Sequence, residues 1–244
     1  MRSAILCVPS YARSSGETIA ADAVVVVDGV VKVYDDEGVE PVRALDGVSL
    51  AVRKGEMVGL MGPSGCGKST LLNLIGCIDL PSSGIVAIEG RATSALGDAG
   101  LTVLRRDRIG TVFQFFSLLP ALTVAENVGL PLVLQRRPRA EVARRVAETL
   151  EAMGIADKSA RLPSELSGGQ AQRAAIARAI VHRPAVVLAD EPTGNLDSRN
   201  GAVVLDLLRS LANAGQAIVM ATHSPEAAAA CDRIVHLQDG RIAT

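Results

Sequence analysis

The sequence predicts an α/β fold built on a mainly parallel β-sheet that helices cover on both faces. Short, apolar, β-branched runs recur along the chain, as is typical of buried parallel strands. Helical stretches alternate with these runs, which favours parallel strands joined by helical crossovers. The chain has 244 residues, of which 48% are hydrophobic, and this is enough for one large core. We therefore expect one compact unit with room for a subdomain.

Hydrophobic spacing places the individual elements. Strands are predicted at residues 24–33, 48–53, 57–61, 109–113, 185–189, 217–221 and 234–237. The clearest helix is predicted at residues 140–153, where apolar side chains repeat at helical spacing on one face. Residues 1–22 show neither the strand nor the helix period, so they are predicted to form a poorly ordered tail before a folded unit at 23–244.

Composition excludes several classes of protein. Lys and Arg number 25 against 26 Asp and Glu, so the chain lacks the basic surface that nucleic acid requires. The four cysteines form no CxxC pair and no zinc-like spacing, which indicates a reduced compartment. No apolar run approaches the ~18–20 residues of a spanning helix, and no secretory signal is recognisable. We expect a cytoplasmic protein.

A glycine-rich loop follows the predicted strand at 57–61. It fits the pattern G-x-x-x-x-G-K-[ST], and an apolar helical run follows it, which is the context that this motif needs. Glycines let backbone N–H groups converge on phosphate oxygens at the N-terminus of the next helix. The predicted phosphate-binding residues are Gly62, Pro63, Ser64, Gly65, Cys66, Gly67, Lys68, Ser69 and Thr70. The lysine would meet the β and γ phosphates, and Ser69 would offer a hard oxygen to Mg²⁺.

Two adjacent acids end the predicted strand at 185–189, at the sheet edge where α/β proteins bind ligands. Asp190 would help to hold Mg²⁺, and Glu191 would orient or deprotonate the attacking water. A solvated acidic loop is the alternative, as a chance glycine-rich turn is for the phosphate loop. The presence of each site weakens the non-functional alternative for the other site. Together the two sites predict nucleotide hydrolysis.

A third motif lies between these two sites. Residues 166–170 read Leu-Ser-Gly-Gly-Gln and open a helix predicted at 168–182. Ser167, Gly168, Gly169 and Gln170 would form a second anion cradle, directed outward. A simple helix cap is the alternative. In this order and context the motif resembles the signature of ATP-binding cassette (ABC) proteins.

The resemblance runs from about residue 24 to the C-terminus. It implies a P-loop NTPase of the ABC cassette type, in which a RecA-like, mainly parallel core sheet is joined by an antiparallel β subdomain. It also implies an inserted α-helical subdomain at about 115–172 within an ABC ATP-binding domain at 23–244. Finer features of residues 76–84 and 189–197 resemble lipoprotein-releasing and macrolide-export ATPases.

The resemblance also assigns roles by position. Tyr34 would stack on adenine, Gln114 would touch Mg²⁺ and couple the site to a membrane partner, and His223 would contact the γ phosphate. With Lys68 and Glu191, Gln114 and His223 form the predicted catalytic set, while Ser69, Gln114 and Asp190 form the predicted metal set. Asp197 would lie near the phosphate loop of a partner cassette. A core tyrosine and a structural histidine are the alternatives for Tyr34 and His223.

Together these features predict an ATPase subunit. Two cassettes would sandwich two ATP molecules with Mg²⁺, each ATP between one phosphate loop and the opposite signature, and would drive a separate membrane permease. The subunit would lie on the cytoplasmic face of the membrane and would bind no nucleic acid directly. The alternative is a non-transport ABC protein that clamps a ribosome or DNA. The single unbroken cassette, the near-neutral charge and the lack of sustained heptads oppose it.

Overall fold

The computed structural model describes residues 22–35 and 40–243. The predicted N-terminal tail lies outside the described residues except for Asp22. Two β-sheets and seven α-helices are present in the described part of the chain. None of its helices is both long enough and apolar enough to cross a membrane.

The smaller sheet is antiparallel. Its strands, in the order β2-β1-β4-β5 across the sheet, are β1 (Ala23–Tyr34), β2 (Val42–Arg53), β4 (Ser83–Ile88) and β5 (Arg91–Ala92). Strand β2 begins six residues before the predicted start at residue 48, and β4 was not predicted. Residues 42–47 carry no apolar run, so only pairing with β1 makes them a strand.

The larger sheet is the predicted parallel core. Its strands lie in the order β10-β9-β3-β8-β7-β6, and they are β3 (Met57–Met61), β6 (Ile109–Val112), β7 (Val186–Asp190), β8 (Ala217–Ala221), β9 (Arg233–Gln238) and β10 (Arg241–Ile242). All neighbours pair in parallel except β9 with β10. The bounds of β3 and β8 are those predicted from the sequence.

Seven helices connect the strands. They are α1 (Lys68–Ile75), α2 (Asp98–Arg108), α3 (Val124–Leu134), α4 (Arg139–Ala152), α5 (Gly168–Ile180), α6 (Ser198–Asn213) and α7 (Pro225–Ala229). The predicted helices at 140–153 and 168–182 correspond to α4 and α5. Helices α3 and α4 and the start of α5 fall within the stretch 115–172, whose status as a subdomain stays a prediction.

The parallel sheet separates two hydrophobic clusters. Successive side chains of a strand point to opposite faces, and in β7 Val186 and Leu188 join one cluster while Val187 and Ala189 join the other. Helix α1 and the antiparallel sheet pack on the first face, and α3 to α6 pack on the second. The continuous apolar character of these strands therefore follows from burial on both faces, as predicted.

Candidate active site

The phosphate loop connects β3 to α1, and close packing behind it fixes its shape. Gly62, Gly65 and Gly67 have φ angles of 151°, 81° and 106°, a region that favours glycine. A Cβ at Gly62 would lie 2.1 Å from the Leu237 carbonyl oxygen, and one at Gly67 would lie 2.6 Å from the Ala44 carbonyl oxygen. A Cβ at Gly65 would meet nothing within 4 Å, so this glycine faces the open side of the loop.

The turn between β9 and β10 supports the loop from behind. The Gly240 N–H donates to the Cys66 carbonyl at 3.2 Å, and the Asp46 N–H donates to the Gly240 carbonyl at 2.8 Å. Asp239 and Gly240 both have positive φ angles, of 49° and 75°, as a type I′ hairpin turn requires. This contact of the β9–β10 turn with the phosphate loop was not predicted from the sequence, although Asp-Gly is a known hairpin signal.

Lys68 and Ser69 begin helix α1 and point to different parts of the site. The Lys68 ammonium donates to the carbonyl oxygens of Gly62 at 2.7 Å and Pro63 at 2.9 Å, so it folds back over its own loop. The Ser69 hydroxyl donates to Asp190 Oδ2 at 3.3 Å. This bond joins the phosphate loop to the first of the two predicted acids.

Asp190, the last residue of β7, is a partly buried carboxylate. Burial raises its pKa, the hydrogen bond from Ser69 acts to lower it, and the neighbouring charge of Glu191 raises it further. A desolvated carboxylate beside a hydroxyl suits a hard cation. No group of three His, Cys, Asp or Glu side chains in residues 22–35 and 40–243 could hold a metal ion by itself. The carboxylate of Asp190 and the hydroxyl of Ser69 are oxygen ligands of the kind that Mg²⁺ prefers, and the metal site stays a prediction.

Glu191 and His223 are in direct contact. Glu191 Oε1 lies 2.8 Å from His223 Nδ1, and the side chain of Glu191 is 16% exposed against 72% for His223. The backbone of Glu191 has a φ of 46°, which is uncommon outside glycine and often marks a functional constraint. The structure thus joins the ends of β7 and β8 through Glu191, which is predicted to act on the attacking water, and His223, which is predicted to contact the γ phosphate.

Gln114 lies in the loop after β6, against the loop that follows Glu191. A Cβ at Gly194 would lie 2.8 Å from Gln114 Nε2, and the Asn195 side-chain amide donates to the Gln114 carbonyl at 3.0 Å. The Gly194 N–H in turn donates to the Glu191 carbonyl at 3.0 Å. The predicted catalytic residues Gln114 and Glu191 are therefore linked through one short turn.

The signature residues cap helix α5. Ser167 Oγ accepts a hydrogen bond from the Gln170 N–H, and Gln170 Oε1 accepts one from the Ser167 N–H, which forms a capping box. Gly168 is exposed, whereas Gly169 is buried and a Cβ there would lie 2.3 Å from Asn200 Oδ1. Gly169 is therefore required for packing, in addition to its predicted role in an anion cradle.

Asp197 is the N-cap of α6 and shares a partner with the signature. Its Oδ1 accepts the Asn200 N–H at 2.9 Å and its Oδ2 accepts the Asn200 side-chain amide at 2.6 Å. These hydrogen bonds lower the pKa of Asp197. Asn200, which the sequence analysis did not single out, thus lies between Asp197 and Gly169. No local sequence pattern predicts the contact of Asn200 with Gly169, because it depends on how α5 packs against α6.

The predicted site residues fall into two groups. Lys68, Ser69 and Asp190 lie at the phosphate loop, and Ser167 and Asp197 lie at the starts of α5 and α6. Strand β3, which leads into the phosphate loop, is three strand spacings from β6, the strand on which α5 packs, or about 14 Å. No hydrogen bond among the described residues joins Ser167 or Asp197 to the phosphate loop.

Comparison with known proteins shows which family has these motifs and this fold. Residues 45–194, more than half of the chain, match the family model described as ABC transporter. The chain belongs to the ABC transporter family. The resemblance and the α/β cassette fold predicted from the motifs are confirmed, and the antiparallel sheet beside a mainly parallel sheet agrees with them.

Curated relatives and solved structures match nearly the whole cassette. It is 45% identical to the lipoprotein-releasing system ATP-binding protein LolD of Bordetella avium over 212 residues, which are 86% of this chain and 92% of that protein. It is 44% identical to the macrolide export ATP-binding/permease protein MacB of Rhodospirillum rubrum over 211 residues, which are 86% of this chain and 32% of that protein. The dimeric structure of MJ0796, a bacterial ABC transporter cassette, superposes with a TM-score of 0.82 at 43% identity and covers 90% of this chain and 97% of that one.

A second structure of MJ0796, equally similar, is a post-hydrolysis dimer with ADP and Pi. The family and these relatives show that the chain is an ATP-binding and ATP-hydrolysing transporter subunit, as predicted. The family and the ADP-bound structure likewise confirm the prediction that the nucleotide is ATP.

Tyr34 ends β1 of the cassette and is 39% exposed as a residue, which disfavours the core alternative. The Lys32 ammonium lies 4.8 Å from the ring centroid and donates to Asp79 Oδ1 at 2.7 Å. This geometry is that of a cation–π contact. The role in adenine stacking stays a prediction.

Ser224 stands where aspartate is common in the family, next to His223. Its hydroxyl accepts the Ala227 N–H at 3.2 Å and so caps α7, and it donates to Glu226 Oε2 at 2.7 Å. Serine is a good N-cap residue. The substitution therefore keeps the local structure that positions the histidine loop.

Proposed function

We propose that this cassette pairs with a second cassette and powers a separate integral membrane permease. The observation that carries the proposal is the separation of Ser167 from the phosphate loop of its own chain. A cradle at a helix N-terminus that has no hydrogen bond to its own phosphate loop among the described residues would be available to a nucleotide on another chain. In a two-fold pair, each phosphate loop would face the partner's signature, so both sites would be completed together.

The chemistry would be positioning and charge stabilisation of phosphoryl transfer. Lys68 and the loop amides would bind the β and γ phosphates, and Ser69 Oγ and Asp190 would hold Mg²⁺, with Gln114 as a further oxygen donor. Bound Mg²⁺ would supply positive charge against the phosphate oxygens. Glu191 would accept the proton of the attacking water.

The remaining predicted residues would complete the site. His223, hydrogen-bonded to Glu191, would contact the γ phosphate, and Tyr34 would stack on adenine. Ser167 and Gly168 would bind the γ phosphate on the partner chain, with Gly169 and Gln170 holding the cradle in shape. Asp197 would lie near the partner's phosphate loop. These roles are assigned by position in the motifs and by the contacts described above.

The names of the relatives support a proposal for the partner and the location. LolD and MacB are named for lipoprotein release and macrolide export, so we propose an export or lipoprotein-type system. The cassette would then lie on the cytoplasmic face of the membrane, held there by the permease. The helices within 115–172 would form the subdomain that meets it, without contact to nucleic acid.

The Glu191→Gln variant tests this function, because it would bind MgATP without hydrolysing it and so hold the closed pair. We expect a dimer by size-exclusion chromatography with MgATP and a multi-span membrane protein in a pull-down from solubilised membranes. Lys68→Ala should stay monomeric, and Glu148→Gln, an exposed change on α4, should behave as the wild type. A monomeric Glu191→Gln protein, or recovery only with ribosomes or nucleic acid, would overturn the proposal.

A further inference from the structure

Gln172 is a buried side chain for which the sequence motifs assign no role. It lies on α5, five residues after Ser167, and is 0% exposed. Its Nε2 donates to the Pro192 carbonyl at 2.6 Å and lies 3.5 Å from the Phe113 carbonyl. Its Oε1 has no hydrogen-bond partner within the described structure. A buried polar group that is only half satisfied is costly and calls for an explanation.

The two carbonyls belong to the segments that carry the predicted catalytic residues. Pro192 follows Glu191 directly, and Phe113 precedes Gln114 directly. Carbonyl oxygens repel one another, so a side-chain NH₂ that binds both holds the two segments together. An oxygen in that position would oppose both carbonyls, which fixes the orientation of the amide.

The same helix carries the signature at its N-terminus. A movement of α5 that displaces Ser167 therefore also displaces Gln172. The two carbonyls that Gln172 binds, next to Gln114 and Glu191, would move with it. A second contact strengthens the connection, because the Arg178 guanidinium on α5 donates to the carbonyls of Phe116 at 3.1 Å and Ser117 at 2.6 Å. Helix α5 thus holds the loop after β6 at two points.

We propose that Gln172 is a positioning residue for hydrolysis. Its amide fixes Glu191 and Gln114 relative to the helix that presents Ser167 to the partner cassette. Docking of the signature on the partner cassette would then align the attacking water at the same time, because α5 carries both Ser167 and Gln172. The inference rests on the proposed function, since it takes the roles of Glu191, Gln114 and Ser167 from there.

The Gln172→Met variant tests the proposal, because methionine has nearly the same length and volume but no NH₂. We expect kcat for ATP to fall about 10- to 100-fold, the usual effect of a small misplacement of reacting groups. The Kd for a fluorescent ATP analogue should stay within about twofold of the wild-type value, because among the described residues the Gln172 side chain hydrogen-bonds Phe113 and Pro192 and not the phosphate loop. The unfolding temperature should fall by no more than a few degrees, because the variant leaves the Pro192 carbonyl without its donor but also removes the unpartnered Oε1.

Ile176→Val provides the matched control. Ile176 is also fully buried, one helical turn further along α5, and its change should leave kcat and Kd unaltered. An unchanged kcat for Gln172→Met would overturn the proposal. So would a Kd or an unfolding temperature that collapses together with kcat, or an equal loss of kcat in Ile176→Val, since each indicates a merely structural role.

Glu191→Gln, measured alongside, separates the two proposals. If it is inactive while Gln172→Met is active, only the positioning role fails. If Glu191→Gln hydrolyses ATP normally, the proposed function fails and the inference with it. Should Gln172→Met not fold, the wild-type side-chain amide gives the answer by ¹⁵N NMR. Its protons should exchange with solvent at least about tenfold more slowly than those of exposed glutamines, and exchange at the exposed rate would overturn the proposal.

Discussion

Asp190 shows how a single residue can favour ligand binding at the expense of stability. Its carboxylate is partly buried without a cationic partner in hydrogen-bond range, and its pKa is raised mainly by that burial. The native chain therefore binds a proton at Asp190 more readily than the unfolded chain does. Stability falls as pH rises through the interval between the unfolded and the native pKa, and the penalty is complete above it.

Asp190→Asn should therefore raise the unfolding temperature at pH 7 in the absence of nucleotide and metal. The amide is neutral and can still accept the Ser69 hydrogen bond. The difference from the wild type should narrow as the pH falls toward 4, because Asp190 then takes up its proton. Thermal unfolding followed by circular dichroism from pH 4 to 8 in EDTA measures both effects. In MgATP the order should reverse, because the variant loses stabilisation by the ligand.

Asp46 supplies a control of opposite sign. Hydrogen bonds from Arg241 and Arg43 lower its pKa, so its charge stabilises the fold above the unfolded pKa and this contribution is lost as the pH falls. Asp46→Asn should therefore lower the unfolding temperature at pH 7. If both variants shift it in the same direction, burial is not what sets the behaviour of Asp190.

At the scale of elements, the contact between α5 and α6 constrains the signature. Gly169 lies against Asn200, whose side chain is already held by Asp197 at 2.6 Å. A Cβ at Gly169 would also come within 3.1 Å of Asn200 Cβ. A side chain at position 169 would therefore displace Asn200 from the cap of α6 or push the two helix starts apart.

Gly169→Ala should destabilise the cassette by about 1–3 kcal/mol, the usual cost of overpacking. Gly168→Ala is the matched control, because its Cβ would make only an ordinary 3.4 Å contact with Leu196 and alanine is the better helix former. Its stability should equal or exceed that of the wild type. Urea unfolding of both variants measures the difference, and equal stability of the two would contradict the packing argument.

The loop after β6 depends on α5 in a second way. Phe116 and Ser117 have positive φ angles of 60° and 50°, and the forked guanidinium of Arg178 binds both of their carbonyls. Arg178→Lys keeps the charge but cannot span the fork. We expect a loss of about 1–2 kcal/mol and faster amide hydrogen exchange around residues 116–118. Unchanged exchange there would show that the loop holds its shape without the fork.

At the scale of the whole molecule, the proposed pairing of two cassettes predicts that activity needs two chains. Lys68→Ala disables a phosphate loop and leaves its signature intact, whereas Ser167→Ala does the reverse. Mixed dimers of the two variants would hold one intact site and one site with both defects.

Each variant alone should therefore be nearly inactive, and an equal mixture should recover about a quarter of the wild-type ATPase rate if the two sites act independently. Random pairing makes half of the encounters mixed, and each mixed pair has one of its two sites intact. The ATP at that site can close the pair, although Lys68→Ala alone stays monomeric. Steady-state hydrolysis across mixing ratios measures the recovery. A mixture that stays as inactive as its components would contradict a site shared between chains.

The nucleotide chemistry and the parallel core could both be predicted from the order of residues in the chain. The phosphate loop is a local structure, because its glycines and the strand and helix around it are adjacent in the chain. Strands β3 and β8 were bounded correctly because strands buried on both faces are apolar throughout. The order of the three motifs was enough to indicate the family.

Contacts between segments that are distant in the chain could be seen only in the three-dimensional structure. Residues 42–47 and strand β4 lack a strong pattern of their own, and they are strands because β1 supplies their hydrogen bonds. Asn200 and Gln172 acquire their partners from the way α5 packs against α6 and the ends of β6 and β7. Sequence spacing fixes which residues share a face of one element, but it does not fix which elements meet, and these contacts exist only between elements.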